Sequence, residues 1–254
     1  MDIIIQGPTS FFREKKYTDF LLGLCENVSV EKIIISTTNN FDCTFPNAKI
    51  QSSVYPDPGA DIGNFSKPLN LKRYFYGVRN ALKATNSDDV LIIRSDIIFD
   101  LGKLLSIYKQ QDGVTYITDV TTKSQFIKDS WDGHFCDWMY AAKRDVLIDV
   151  FENYDYDNII SNMPISKGSI YPLSPERFIK RKIDETTNLK YELIPNQSIS
   201  MMCLKEGYEK IPFGINKKYM IAEFEFKYLR RFSKNKVIRL ILKPILKIYY
   251  NVFR

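Results

Sequence analysis

The sequence predicts an α/β protein with a mostly parallel central sheet flanked by helices on both faces. Three observations carry this. First, its short strand-like runs hold unbroken apolar stretches instead of alternating, as within Asp2–Ile5, Glu31–Ser36 ("EKIIIS") and Asp89–Ile93. Such runs fit strands buried on both sides, as in a parallel sheet covered by helices. Second, segments of helical spacing separate the runs. Third, the first and fourth runs stop at Gln6-Gly7-Pro8 and Arg94-Ser95-Asp96, two polar turn sequences.

Each element follows in order. Asp2–Ile5 begins the chain as a buried strand. Lys15–Leu24 is a helix, with Tyr17, Phe20, Leu21 and Leu24 at helical spacing. Glu31–Ser36 is the second strand and Ala48–Ser53 the third, followed by the loop "YPDPGADIG". Asn70–Thr85 is a helix with Leu71, Tyr74, Phe75, Val78 and Leu82 on one face. Asp89–Ile93 is the fourth strand. Beyond Gly113 the pattern is less regular. Val114–Ile117 and Phe135–Ala142 read as strands, Arg144–Glu152 as a helix, and Leu173–Ile183 as a helix capped by Ser174 with Pro175 at its first position.

Composition bounds the function. With 254 residues, 44% hydrophobic and 26% charged, the chain suits one globular domain, 1–226, followed by a distinct tail, 227–254. The formal charge of +6 comes from that tail, which holds nine Lys/Arg and no Asp/Glu. The preceding 226 residues carry 27 basic against 30 acidic side chains. Nucleic-acid binding calls for basic residues spread over a folded face, so it is not expected. In the tail, Leu229, Phe232, Val237, Leu240, Ile241, Ile245 and Ile248 interleave with the cations. This is the pattern of an amphipathic helix on an anionic membrane surface, restarted at Pro244, where each cation contributes ~1 kcal/mol. A helix packed on the catalytic domain or between two copies is the alternative.

Cys25, Cys43, Cys136 and Cys203 are widely spaced and form no CxxC, so reduced thiols are expected in place of structural zinc. The N-terminus lacks the basic and apolar regions of a signal peptide, and no run reaches the roughly 18–20 apolar residues of a membrane span. The expected location is cytoplasmic, peripheral on the inner face of the cell membrane.

In a parallel sheet, ligands bind at the carboxyl ends of the strands. That brings Gln6-Gly7-Pro8 and Arg94-Ser95-Asp96 to one edge. A lone buried charge costs several kcal/mol unless it is paired, metal-bound or at the edge of water. Asp96 is therefore either ion-paired with Arg94 or bound to a cation at the strand end. A divalent metal, Mg²⁺ or Mn²⁺, that neutralises a diphosphate would suit it. Glycosyltransferases of the GT-A type carry an Asp-x-Asp motif at such a place. Here Arg94 occupies the first acidic position and only Asp96 matches.

Five pieces in order, "IIIQGPT", "KIIIST", "LNLKRYFYGVRNAL", "VLIIRSD" and "HFCDW", resemble the WavE family of lipopolysaccharide and surface-polysaccharide synthesis. The resemblance spans Ile3 to about Phe178. It implies a GT-A-like (Rossmann-like) fold and transfer of a sugar from a nucleotide-sugar donor to a growing, lipid-linked surface glycan such as lipopolysaccharide, O-antigen or capsule.

The candidate donor-binding residues are Gln6, Gly7, Pro8, Arg73, Arg94 and Asp96, with Asp96 also the candidate metal ligand. Arg73 opens the long helix, where backbone N–H groups and a guanidinium together favour phosphate. Asp137 and Glu176 compete as the base that deprotonates the acceptor hydroxyl. His134 and Trp138 are candidate acceptor-binding residues, because sugar faces stack on aromatic rings. Two other readings compete: a nucleotidyl- or polyol-phosphate transferase, and a non-catalytic membrane-bound scaffold.

Overall fold

A computed structural model describes residues 1–38, 47–59, 70–109, 114–119, 137–152, 190–195 and 198–204. The first half of the chain alternates strand and helix as its hydrophobic pattern requires. The strands are β1 (Asp2–Gln6), β2 (Lys32–Thr37), β3 (Ile50–Val54), β4 (Asp89–Arg94), β5 (Ile97–Ile98), β6 (Val114–Asp119), β7 (Met139–Lys143), β8 (Lys190–Pro195) and β9 (Met202–Cys203). The helices are α1 (Lys15–Glu26), α2 (Leu71–Leu82), α3 (Leu101–Ile107) and α4 (Arg144–Glu152), with a 3-10 turn over Thr9–Arg13.

Among the described residues, seven strands form one sheet in the order β3-β2-β1-β4-β7-β6-β8. β1 pairs in parallel with both β2 and β4, and β2 in parallel with β3. This is the mostly parallel α/β sheet that the sequence predicts. The chain runs outward from β1 to β3 and then returns to the other side of β1 as β4. The point where the strand order reverses therefore lies between β1 and β4, where a crevice opens beyond the carboxyl ends.

The unbroken apolar strands are explained by two cores. Ile3, Ile5, Ile33, Ile35, Leu91 and Ile93 face one core with Tyr17, Leu21 and Leu24 of α1 and Leu101 and Leu104 of α3. Ile4, Ile34, Val90 and Ile92 face the other, against Leu71, Phe75, Val78 and Leu82 of α2 and Leu147, Val150 and Phe151 of α4. Successive side chains point to opposite faces, so both parities must be apolar. Buried Asp2 enters this framework with its own partners. The Asp2 carboxylate accepts hydrogen bonds from the Asn86 and Ser87 backbone N–H groups (2.6 and 3.0 Å) and from Ser87 Oγ (2.9 Å).

Two features go beyond the sequence expectation. β7 is antiparallel to β4, with Ile93 opposite Met139 and Val90 opposite Ala142. The start of β7 thus lies at the same edge as the end of β4. In addition, β5 and β9 form a two-stranded ribbon with Ile97 opposite Cys203. The expected helix Leu173–Ile183 and the tail 227–254 lie outside the described residues. Among the described residues, no helix is long and apolar enough to cross a membrane.

Candidate functional site

Register assembles the site. Gln6 at the end of β1 pairs with Ser36 of β2 on one side and Arg94 of β4 on the other. Beyond this row the β1 loop and the β4 turn meet, the Ser95 N–H donating to the Gln6 carbonyl at 2.8 Å. The Arg94 N–H donates to the Trp138 carbonyl at 3.0 Å, which brings Asp137 and Trp138 to the same edge. A cavity of about 1060 Å³ opens there, lined by Gln6, Gly7, Pro8, Arg73, Arg94, Asp96 and Asp137 among others. Its size is just above the ~300–1,000 Å³ usual for ligand pockets. Seven sequence-predicted site residues thus share one cavity wall. His134 and Glu176 lie outside the described residues.

Gly7 shows why this loop tolerates no side chain. Its φ is +125°, and a Cβ there would stand 2.7 Å from Ser95 Oγ. Gly7→Ala is expected to destabilise the protein by about 1–3 kcal/mol from the backbone alone. Adding Ser95→Ala removes the clash but leaves that backbone cost. Denaturant melts of the single and double variants measure the two contributions separately.

Asp96 realises both halves of the sequence dilemma at once. It stands at a strand end on the cavity wall, yet it is only 4% exposed and paired with Arg94. Its Oδ1 accepts from Arg94 Nε at 3.0 Å and its Oδ2 from Arg94 Nη2 at 2.6 Å. The β5–β9 ribbon adds the buried Cys203 thiol, which donates to Asp96 Oδ2 at 3.4 Å. Across the guanidinium, the Trp138 ring lies 5.2 Å from Arg94 Cζ, a cation–π contact. Trp138 thus contacts Arg94, in addition to the acceptor-binding role expected of it from the sequence. Burial lowers the Arg94 pKa, but the Asp137 and Asp96 carboxylates more than reverse this and raise it above its ordinary value.

Arg73 is also more constrained than its place at a helix start suggests. It forms a fork with Asp57, Nε to Oδ1 and Nη2 to Oδ2, both at 2.8 Å. Its Nη1 donates to Asn70 Oδ1 at 3.1 Å. The hydrogen bond from Arg73, followed by the Gly59 N–H, lowers the Asp57 pKa. Tyr55 donates from its hydroxyl to the Arg73 carbonyl at 2.9 Å, and burial, followed by the Asp57 charge, pushes its pKa up to about 12.

Sequence reasoning missed Thr37, Tyr55, Asp57 and Tyr74 on this wall. Thr37 was within reach as the last residue of β2. Tyr55 and Asp57 sit in the Pro/Gly/Asp loop, whose path no periodicity dictates. The Tyr74 and Tyr140 hydroxyls lie 2.7 Å apart, a pairing that depends on tertiary packing alone.

A divalent cation meets an obstacle here. Both Asp96 oxygens are engaged by Arg94. Among the described residues, no group of three or more His, Cys, Asp and Glu side chains gathers to hold a metal ion. As folded, the described residues do not fit Mg²⁺ or Mn²⁺ at Asp96.

No protein-family model matches the chain, and no curated protein matches its sequence. Several solved structures are similar at low identity. The 2-C-methyl-D-erythritol 4-phosphate cytidylyltransferase IspD of Francisella tularensis is 11% identical, with 88% of this chain and 98% of that chain covered and a TM-score of 0.46. HddC from Yersinia pseudotuberculosis, complexed with GMP-PN, is 13% identical over 89% of this chain and 99% of that one, at 0.44. The glycosyltransferase GlyE of Streptococcus pneumoniae is 13% identical over 78% of this chain and 45% of that one, at 0.43. At this distance no activity follows from the likeness, and the fold class rests on the strand order itself.

Proposed function

We propose that the protein is a glycosyltransferase that moves a sugar from a nucleotide-sugar donor to a surface glycan acceptor. The observation that carries this reading is the cavity at the β1/β4 switch point. It joins three arginines (Arg13, Arg73 and Arg94) to a buried carboxylate, Asp137, on one wall. The guanidinium side suits a diphosphate, and the carboxylate suits a sugar hydroxyl. The resemblance to the WavE family supports the same reading, and with it a lipid-linked acceptor at the inner leaflet, the surface that the basic tail is expected to bind.

In the reaction, the acceptor hydroxyl attacks the anomeric carbon, and a new C–O bond forms as the bond to the diphosphate breaks. The nucleoside diphosphate leaves with the electron pair, facing Arg94. The hydroxyl proton passes to Asp137, which is 7% exposed and lines the cavity. Gln6 and the Gly7-Pro8 turn, at the end of β1, bound the nucleoside side.

Thermal-shift and hydrolysis assays across a panel of nucleotide sugars and nucleoside triphosphates test this. One nucleotide sugar is expected to stabilise the protein and turn over slowly to the free sugar. Turnover of a triphosphate with pyrophosphate release would instead make the protein a nucleotidyltransferase. Absence of any nucleotide binding would leave the scaffold reading.

A further inference from the structure

We propose that this pocket binds its nucleoside diphosphate without a divalent metal, because the Arg94 guanidinium is built into the wall as the resident cation. The inference rests on the transferase reading above and concerns the same site.

Three contacts fix the guanidinium before any ligand arrives. Asp96 holds one edge by two hydrogen bonds, at 3.0 and 2.6 Å. The Arg94 Cζ stands over the Trp138 ring, 5.2 Å from the ring centroid. The Arg94 backbone is tied to β7 through the Trp138 carbonyl. A guanidinium carries five N–H donors in a rigid plane, and Asp96 takes two of them. The Arg94 side chain remains 24% exposed and lines the cavity. Its remaining donors lie on the edges away from Asp96, the arrangement that grips two phosphate oxygens side by side.

The same contacts disfavour a metal. An ion seeking Asp96 has to displace a bidentate guanidinium that a second carboxylate, Asp137, also favours electrostatically. Mg²⁺ and Mn²⁺ select oxygen ligands, usually one or two open carboxylates together with phosphate and water. Asp96 has both oxygens engaged. The charge that an Asp-x-Asp pair recruits from solution is here covalently attached at the first position of the motif. Across the whole cavity wall three arginines face three aspartates, and Arg13 makes no ion pair among the described residues.

Isothermal titration with a panel of nucleoside diphosphates, in EDTA and in millimolar Mn²⁺, tests the proposal. The best-binding diphosphate is expected to show the same Kd under both conditions to within about twofold, far below the tenfold that 1.4 kcal/mol represents. Arg94→Gln is expected to weaken binding in EDTA by about 10- to 100-fold, the loss typical of a hydrogen bond to a charged group. Arg94→Asp, which restores two acids at this position, is expected to bind only when Mn²⁺ is present. Wild-type binding that requires Mn²⁺ would overturn the inference and leave the transferase reading intact. No binding under either condition would remove both. The wild-type comparison needs no variant to fold, and a thermal melt of each variant separates lost binding from lost structure.

Discussion

Asp96→Ala is expected to destabilise the protein by about 3–5 kcal/mol, the cost of leaving a buried charge without its partner. Asp96 supplies both hydrogen bonds to one edge of Arg94, and its side chain is 6% exposed. Removing it leaves a guanidinium that is three-quarters covered and has no replacement on that edge. Asp137 acts on the same guanidinium and stays in place, which puts the expectation toward the lower end of that range. For a domain of this size each kcal/mol shifts Tm by about 2–4 °C, so the melting point falls by on the order of 10 °C. The double variant Asp96→Leu with Arg94→Met is expected to recover most of the loss, because exchanging a whole buried pair for apolar groups is often neutral. Urea melts of the two single variants and the double variant close the cycle. A loss under about 1 kcal/mol for Asp96→Ala would place the pair among ordinary surface ion pairs. It would also remove the pre-organisation on which metal-free binding rests.

The sheet and the floor of the site were legible in the sequence because local pattern determines them. The central positions of β1, β2 and β4 (Ile3–Ile5, Ile33–Ile35 and Val90–Ile93) are all apolar, since both faces are covered, and such runs are recognisable without any knowledge of their partners. The expected bounds of the Arg144–Glu152 helix coincide with α4, and those of Asp89–Ile93 fall one residue short of β4. Strand ends then place Gln6 and Arg94 at one edge by arithmetic. What local pattern could not provide was pairing direction. The antiparallel entry of β7 beside β4, which carries Asp137 to the cavity and Trp138 to the same sheet edge, depends on a long-range register. The β5–β9 ribbon was equally hidden. It joins two-residue strands more than a hundred positions apart and brings Cys203 to Asp96. Arg94 was the informative exception. Its place in front of Asp96 raised both possibilities, ion pair and cation site, and only three-dimensional packing shows the pair formed on the cavity wall.

Asp137→Asn is expected to lower kcat by about 100- to 10,000-fold, the usual worth of a positioned general base, which is about 2.7–5.5 kcal/mol of barrier. Asparagine keeps the shape of the side chain but cannot take the proton from the acceptor hydroxyl. The sign expected for donor binding runs the other way. Asp137 is one of two carboxylates acting on Arg94, so neutralising it removes a negative charge near the incoming diphosphate. The Kd for nucleoside diphosphate should hold or tighten while turnover collapses. A purely structural role predicts the opposite coupling, with binding, turnover and melting temperature falling together, because Arg94 would lose its setting. Glu176→Gln supplies the necessary comparison as the rival base. If Asp137→Asn turns over normally and Glu176→Gln does not, the proton goes to Glu176. Asp137 is then left as a charge that tunes Arg94, and metal-free diphosphate binding would still stand on the Asp96 and Trp138 contacts alone.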